Sequence, residues 1–137
     1  MSDAFPVTVF HNPACGTSRN VVAMVQAAGH TPTVVEYLKT GWTVPQLKDL
    51  LARMGARPRD ILRARGTPAA ELGLLEAGVS DEVLLAAMAA HPILVERPIL
   101  VTPRGVKLCR PSEAALPLLD GAPAVFTKED GEVVRRP

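Results

Sequence analysis

Between Pro6 and Asn12 the chain reads PVTVFHN, with alternating positions and many β-branched and aromatic residues, which predicts a strand. Asn12–Pro13 is a turn signal that ends it. From Gly16 to Ala28 the period changes. Val21, Val22, Met24, Val25 and Ala28 recur at helical spacing, and Gly29 fits the position just past a helix end. TPTVVEYL, from Thr31 to Leu38, predicts a second strand. A strand–helix–strand unit of this length fits a parallel crossover, which is nearly always right-handed.

The middle of the chain keeps the helical period. Thr43 is placed to cap a helix with Leu47, Leu50, Leu51 and Met54 on one face, closed by Gly55. RPRDILRARG predicts a short helix, and SDEVLLAAMAAHP another, capped by Ser80 and ended near Pro92. RPILVTPRGVKLCRP then predicts a hairpin of two apolar strands around Thr102-Pro103-Arg104-Gly105. A final helix is expected near PSEAALPLL, broken or kinked within two turns by Pro117. The tail TKEDGEVVRRP is polar and expected to be partly frayed. No repeat, low-complexity tract or linker interrupts the order. The expected fold is α/β, a mixed sheet with helices packed on its faces, in one domain spanning residues 1–137.

A chain of 137 residues is long enough to bury a real core. Fifteen Lys and Arg stand against 14 Asp and Glu, a balance that argues against nucleic-acid or membrane-surface partners. Eleven of the fifteen are arginine, whose planar fork matches oxyanions, although a plain preference for Arg over Lys explains most of them equally well. No run of about 18 apolar residues predicts a membrane span, and MSDAFPVTVF lacks the pattern of a signal peptide. Two cysteines, Cys15 and Cys109, are fewer than a secreted scaffold of this size usually carries, so a cytoplasmic location is expected.

The candidate chemistry lies in FHNPACGTSRN. Cys15 has no partner two or three residues away, so neither a dithiol centre nor half of a zinc site is available. It falls where the first strand has ended and the first helix begins. A helix N-terminus presents unpaired N–H groups and about half a positive charge, which lowers the pKa of a thiol placed there. Gly16 permits close backbone approach, Thr17 and Ser18 add hydroxyl donors beside the sulfur, and Arg19 adds positive field. His11, at the strand end, is a candidate assistant. The plain alternative for any isolated cysteine is inert packing, and that reading fits Cys109 in GVKLCRP. His30 and His91 read as turn residues. No His/Cys/Asp/Glu cluster has metal-ligand spacing, and neither a GxxxxGK[ST] loop nor a GxGxxG fingerprint occurs, so no metal or bound cofactor is expected.

HNPACGTSRN, HPILVERPILVT and LCRPSE, with EDGE near the C-terminus, resemble the glutaredoxin-linked arsenate reductases from Val7 to Gly131. The resemblance implies a thioredoxin-like four-stranded mixed sheet with an inserted helical segment. It implies reduction of arsenate to arsenite, with glutathione as cosubstrate and glutaredoxin as partner; a monomer is expected. It matches Cys15 and His11 to the family's catalytic cysteine and upstream histidine. Arg63 in DILRARG, Arg97 in ERPIL and Arg110 in LCRPS match three arginines that bind the oxyanion, with Gly16, Thr17 and Ser18 beside the sulfur. Arg57, Arg59 and Arg65 crowd Arg63, which is chosen because it stands two residues after the isoleucine. Such folds also place a cis-proline at the start of the third strand, so the Arg97–Pro98 bond is expected to be cis. Two alternatives share the fold: a glutathione-dependent thiol oxidoreductase that does not act on arsenate, and an Spx-like regulator that binds RNA polymerase. The latter often carries a Cys-x-x-Cys switch, absent here.

Overall fold

A computed structural model describes residues 5–136, which divide into two compact units. One is formed by the segments up to Glu36 and from Arg97 onward, the other by Tyr37–Glu96.

The first unit is built on a four-stranded mixed sheet. Its strands are β1 (Thr8–His11), β2 (Thr33–Glu36), β3 (Ile99–Thr102) and β4 (Gly105–Leu108), in the order β2-β1-β3-β4. β1 runs parallel to β2, with Thr8 opposite Thr33, and antiparallel to β3, with Thr8 opposite Val101. β3 and β4 form the expected hairpin, closed at Thr102↔Gly105. Helix α1 (Gly16–Ala27) connects β1 to β2 and buries Val21, Met24 and Val25. These pack with Val9 and Leu100 from the sheet, with Val7 just before it, and with Cys109, Ala115, Leu116 and Leu119, in one apolar cluster. Burying such side chains contributes about 1.5–3 kcal/mol each, so this cluster holds β1 and α1 together. α1 ends as its pattern predicts: Gly29 has φ +93° and its N–H donates to the Gln26 carbonyl. Gly121 approaches the same helix end so closely that a Cβ would lie 2.9 Å from the Ala28 carbonyl oxygen.

The second unit is helical. It holds a single turn α2 (Tyr37–Thr40), then α3 (Val44–Met54) and α4 (Asp81–Ala90), with short 3-10 turns at Pro58–Ile61 and Pro92–Leu94. Thr43 and Gln46 form a full capping box on α3, and Gly55 closes that helix at φ +67°. Ser80 caps α4 by accepting from the Val83 N–H. Tyr37 donates its hydroxyl to the Val95 carbonyl at 3.0 Å, and a Leu62–Val95 bridge ties the two 3-10 turns.

The structure corrects or refines four expectations. The second strand stops at Glu36 instead of running on to Leu38, because α2 begins at Tyr37. RPRDILRARG forms its short helix only as a single 3-10 turn, Pro58–Ile61. The last helix is also 3-10, over Ser112–Leu118, with Pro117 inside it next to its end. The tail is ordered rather than frayed. β5 (Val125–Thr127) and β6 (Val133–Arg135) make a second, two-stranded antiparallel sheet. Its turn is closed by Lys128 N–H to the Glu132 carbonyl (2.8 Å) and Gly131 N–H to the Lys128 carbonyl (2.9 Å). Asp130–Gly131 was the available signal, since a D-G pair between apolar positions favours a hairpin turn.

Candidate active site

Asn12 and Pro13 turn the chain out of β1 and into α1. The Asn12 side chain accepts the Ala14 N–H at 2.9 Å, and its carbonyl accepts the Cys15 N–H at 3.0 Å. Cys15 thereby becomes the N-cap of α1, in extended conformation and only 9% exposed. No side chain caps the helix, so the sulfur occupies the place where N–H groups and the helix dipole favour an anion.

Burial by itself pushes the Cys15 thiol pKa up. Hydrogen bonding from Arg97, from the Ser18 backbone N–H and from Arg110, with the added field of Arg97, outweighs that and holds the thiol below its ordinary value. Arg110 Nη1 stands 3.8 Å from Sγ and donates to the Arg97 carbonyl at 3.0 Å, which ties the two arginines together. Both arginines lie at cis junctions, Arg97–Pro98 as expected and Arg110–Pro111 in addition. Arg97 Nε and Nη1 are buried without a hydrogen-bond partner among the described residues. Unpaired buried donors are costly, so a guanidinium left in this state beside a thiolate is matched to an anion with more than one acceptor oxygen.

His11, at the end of β1, is buried and engages Ser18 Oγ through Nδ1 at 2.6 Å. The same Oγ accepts the Asn12 N–H at 3.1 Å. Burial chiefly lowers the pKa of His11; Glu36 opposes this and Arg19 adds to it, so the ring favours its neutral form. The contacts of His11 hold the turn that carries Ser18. Gly16, Thr17 and Ser18 form the first turn of α1 directly after the nucleophile. Arg63 belongs to the Tyr37–Glu96 unit, where it pairs with Glu96 at 2.9 Å and donates to the Arg65 carbonyl.

Sequence reading missed Glu129. Arg19 is exposed, and all three of its guanidinium nitrogens are engaged. Nε and Nη2 donate to Glu129 at 3.0 and 2.6 Å, and Nη1 donates to the Pro13 carbonyl. Its fork is therefore turned onto Glu129, while its charge still couples to Cys15. The Glu129 N–H also donates to Asn20 Oδ1 at 3.0 Å, and a Cβ on Gly16 would lie 3.1 Å from Glu129 Oε1. A partner 110 residues away leaves no local periodic trace; only the EDGE run marks it.

Cys109 is the opposite case. It is 0% exposed, and burial pushes its pKa up to about 12, with little relief from Lys107. No group of three His, Cys, Asp or Glu among the described residues is arranged to hold a metal ion. No helix among them is long and apolar enough to cross a membrane.

Residues 10–117 match the model of the ArsC family. The chain belongs to that family. It is 55% identical over 129 residues to the arsenate reductase ArsI2 of Synechocystis sp., covering 93% of this chain and 92% of that one. It is 49% identical to the arsenate reductase of Escherichia coli K12 over the same length, with the same two coverages. Among solved structures, an arsenate reductase from Vibrio cholerae superposes with a TM-score of 0.80 at 38% identity, covering 85% of this chain and 100% of that one. The ArsC fold of these neighbours matches the expected sheet with an inserted helical segment.

Proposed function

We propose that this ArsC-family chain reduces arsenate to arsenite, with Cys15 as the nucleophile and glutathione and glutaredoxin as thiol donors. The observation that carries the reading is a buried cysteine, held below its ordinary pKa, beside an arginine with two unpartnered nitrogens. The arsenate reductases to which the chain is 49–55% identical support the substrate.

Arsenate at neutral pH is a tetrahedral oxyanion carrying one to two negative charges. A thiolate attacking it must overcome like-charge repulsion, and fixed donors aimed at the developing charge are usually the largest catalytic contribution. Arg97 and Arg110 supply forked donors, and the first turn of α1, at Gly16, Thr17 and Ser18, supplies the rest. Arg63 joins them on the family resemblance of its motif, and His11 positions Ser18.

The Cys15 sulfur attacks arsenic, forming an S–As(V) bond as one oxygen leaves as water. Glutathione then displaces a second oxygen, again as water, and its sulfur bonds to arsenic. A glutaredoxin thiolate attacks that glutathione sulfur. The S–As electron pair returns to arsenic, As(V) becomes As(III), and the two thiols leave as a mixed disulfide. Water cleaves the remaining Cys15–As bond to release arsenite and the thiol. The reading includes action as a monomer, as a single functional domain, in the cytoplasm.

The test is arsenate-dependent oxidation of NADPH in the presence of glutathione, glutaredoxin and glutathione reductase. Steady turnover that requires all components is expected. Turnover of a disulfide substrate without any response to arsenate would overturn the assignment in favour of a plain thiol oxidoreductase.

A further inference from the structure

Two neighbouring residues of the β5–β6 turn, Lys128 and Glu129, hold two different segments of the active site. Glu129 takes the Arg19 fork of α1 at 3.0 and 2.6 Å, and its N–H donates to Asn20 Oδ1 at 3.0 Å. Arg19 also donates to the Pro13 carbonyl at 2.8 Å, so the chain is gripped on both sides of Cys15. Lys128 reaches the other way. It pairs with Glu113 at 2.8 Å, in the turn after Arg110 that the Ala114 N–H closes onto the Pro111 carbonyl. All of these residues belong to the same compact unit.

A cleft of about 330 Å³ separates the first turn of α1 from Pro111 and Ser112, and Lys128–Asp130 form its remaining wall. The apolar cluster that α1 shares with the 3-10 helix begins at Val21, beyond that first turn. At the reactive end, the β5–β6 turn is what spans the gap. The geometry there has little slack, since Arg110 Nη1 stands 3.8 Å from Sγ. Fixed donors have to stay within about 0.5 Å of their working geometry.

From this we infer that Lys128 and Glu129 are positioning residues, which set the distance between the Cys15 sulfur and the Arg110 guanidinium by bridging the segments that carry them. The inference rests on the reading under Proposed function for the reaction these groups serve. The donors to the sulfur are Arg97, Arg110 and the Ser18 N–H, so Lys128 and Glu129 act through Arg19, Asn20 and Glu113. An exposed ion pair stabilises a fold little, so what Arg19–Glu129 contributes is placement.

Placement and simple field make opposite predictions. About the sulfur stand Arg97 and Arg110, from the two ends of the β3–β4 hairpin, and Arg19 from α1; His11 on β1 favours its neutral form. Deleting the Glu129 carboxylate removes a negative charge from this neighbourhood, and field alone would then lower the thiol pKa further. If Glu129 places the donors, its loss lets Arg110 drift from the sulfur, and the pKa rises instead. Deleting the Glu113 carboxylate, which cuts the Lys128 link, opposes the two accounts in the same way.

The test measures iodoacetamide alkylation of Cys15 against pH, and arsenate kinetics, in Glu129→Ala, Glu113→Ala and the double variant, with folding checked by circular dichroism. The alkylation inflection should rise by about half a pH unit or more in each single variant, and further in the double. The kcat should fall by about tenfold or more, with a much smaller change in the KM for arsenate, because a misplaced donor fails chiefly in the transition state. Glu129→Gln keeps one acceptor for Arg19 and should show the same changes to a smaller degree, which decides the matter if an alanine variant does not fold. Asp120→Asn, which breaks an exposed pair with Arg104 in the same unit, should change neither readout. An inflection that falls or stays put in folded Glu129→Ala or Glu129→Gln would overturn the positioning role. Normal arsenate turnover with unmoved inflections removes that role and leaves the arsenate reading standing. Raised inflections in a protein that does not reduce arsenate keep the role and remove that reading.

Discussion

Cys15 and Cys109 are both buried, and burial is the largest influence on each thiol, in the same direction. They end on opposite sides of an ordinary cysteine. At Cys109 the surroundings are strand backbone and apolar side chains, and its nearest hydrogen-bond acceptor is the Lys107 carbonyl at 3.6 Å. A carbonyl stabilises the thiol rather than the thiolate. At Cys15 the surroundings are donors: two guanidiniums and the Ser18 N–H. Burial raises a thiol's pKa unless fixed donors face the sulfur, and then the same exclusion of water strengthens those donors. Cys109 is the more deeply buried of the two, but it is the donors that turn the Cys15 pKa downward against its own burial.

The largest break in this comparison comes from removing each sulfur. Cys15→Ser should abolish arsenate reduction, while Cys109→Ala retains most of it. Cys109→Ser should also stay active but lose stability, about 1–3 kcal/mol for a buried hydroxyl. Comparable activity losses in folded Cys15 and Cys109 variants would refute the single-thiol mechanism.

Next come the donors. Arg97→Lys and Arg110→Lys keep the charge and remove the fork, so each should lower kcat by about tenfold or more even at saturating arsenate. Arg135→Lys, on the exposed β6 strand, should change little. Near-normal kcat in both site variants would mean that the arginines act only as a diffuse positive field.

A sharper reading comes from pH. Because the Cys15 pKa is depressed, its thiolate persists as pH falls below the roughly 8.5 of a free thiol. Iodoacetamide alkylation of Cys15 should therefore inflect below that value, while Cys109 stays unmodified in the folded protein. An inflection at or above it would remove the donors from the account.

The smallest effect is expected at Ser18→Ala. The Ser18 backbone N–H still reaches the sulfur, but the Asn12 N–H and His11 lose their shared hydroxyl. Unsatisfied buried polar groups cost about 1–3 kcal/mol, readable as a lowered urea midpoint, with the alkylation profile of Cys15 nearly unchanged. A large shift of that profile would mean that the hydroxyl, not the backbone, faces the sulfur.

Local order was legible wherever a few neighbouring residues decide it. The β1–turn–α1 entry, the Thr43 and Ser80 caps, the Gly29 and Gly55 helix ends and the β3–β4 hairpin each follow from period, cap chemistry or glycine within a short span. The placement of Cys15 at a helix start is a local property of this kind. The order of the tail was not read, because Val125 and Val133 stay exposed while Val134 enters the core and Phe126 packs against it. Its hairpin depends on distant anchors, Arg136 to the Ala122 and Ala124 carbonyls and Glu129 to Arg19.

By itself, then, the chain's period and punctuation determined a thiol at the start of α1 and a mixed α/β order around it. Eleven arginines look alike to period and composition, and only the family resemblance singled out Arg63, Arg97 and Arg110. Arg19, four residues from the sulfur, turns its fork onto Glu129, whereas Arg110, 95 residues away, reaches Sγ. Helix caps and turns rest on hydrogen bonds a few residues long, so sequence carries them. The pKa of a buried thiol depends on which donors the fold delivers through space, and only the tertiary structure decides that.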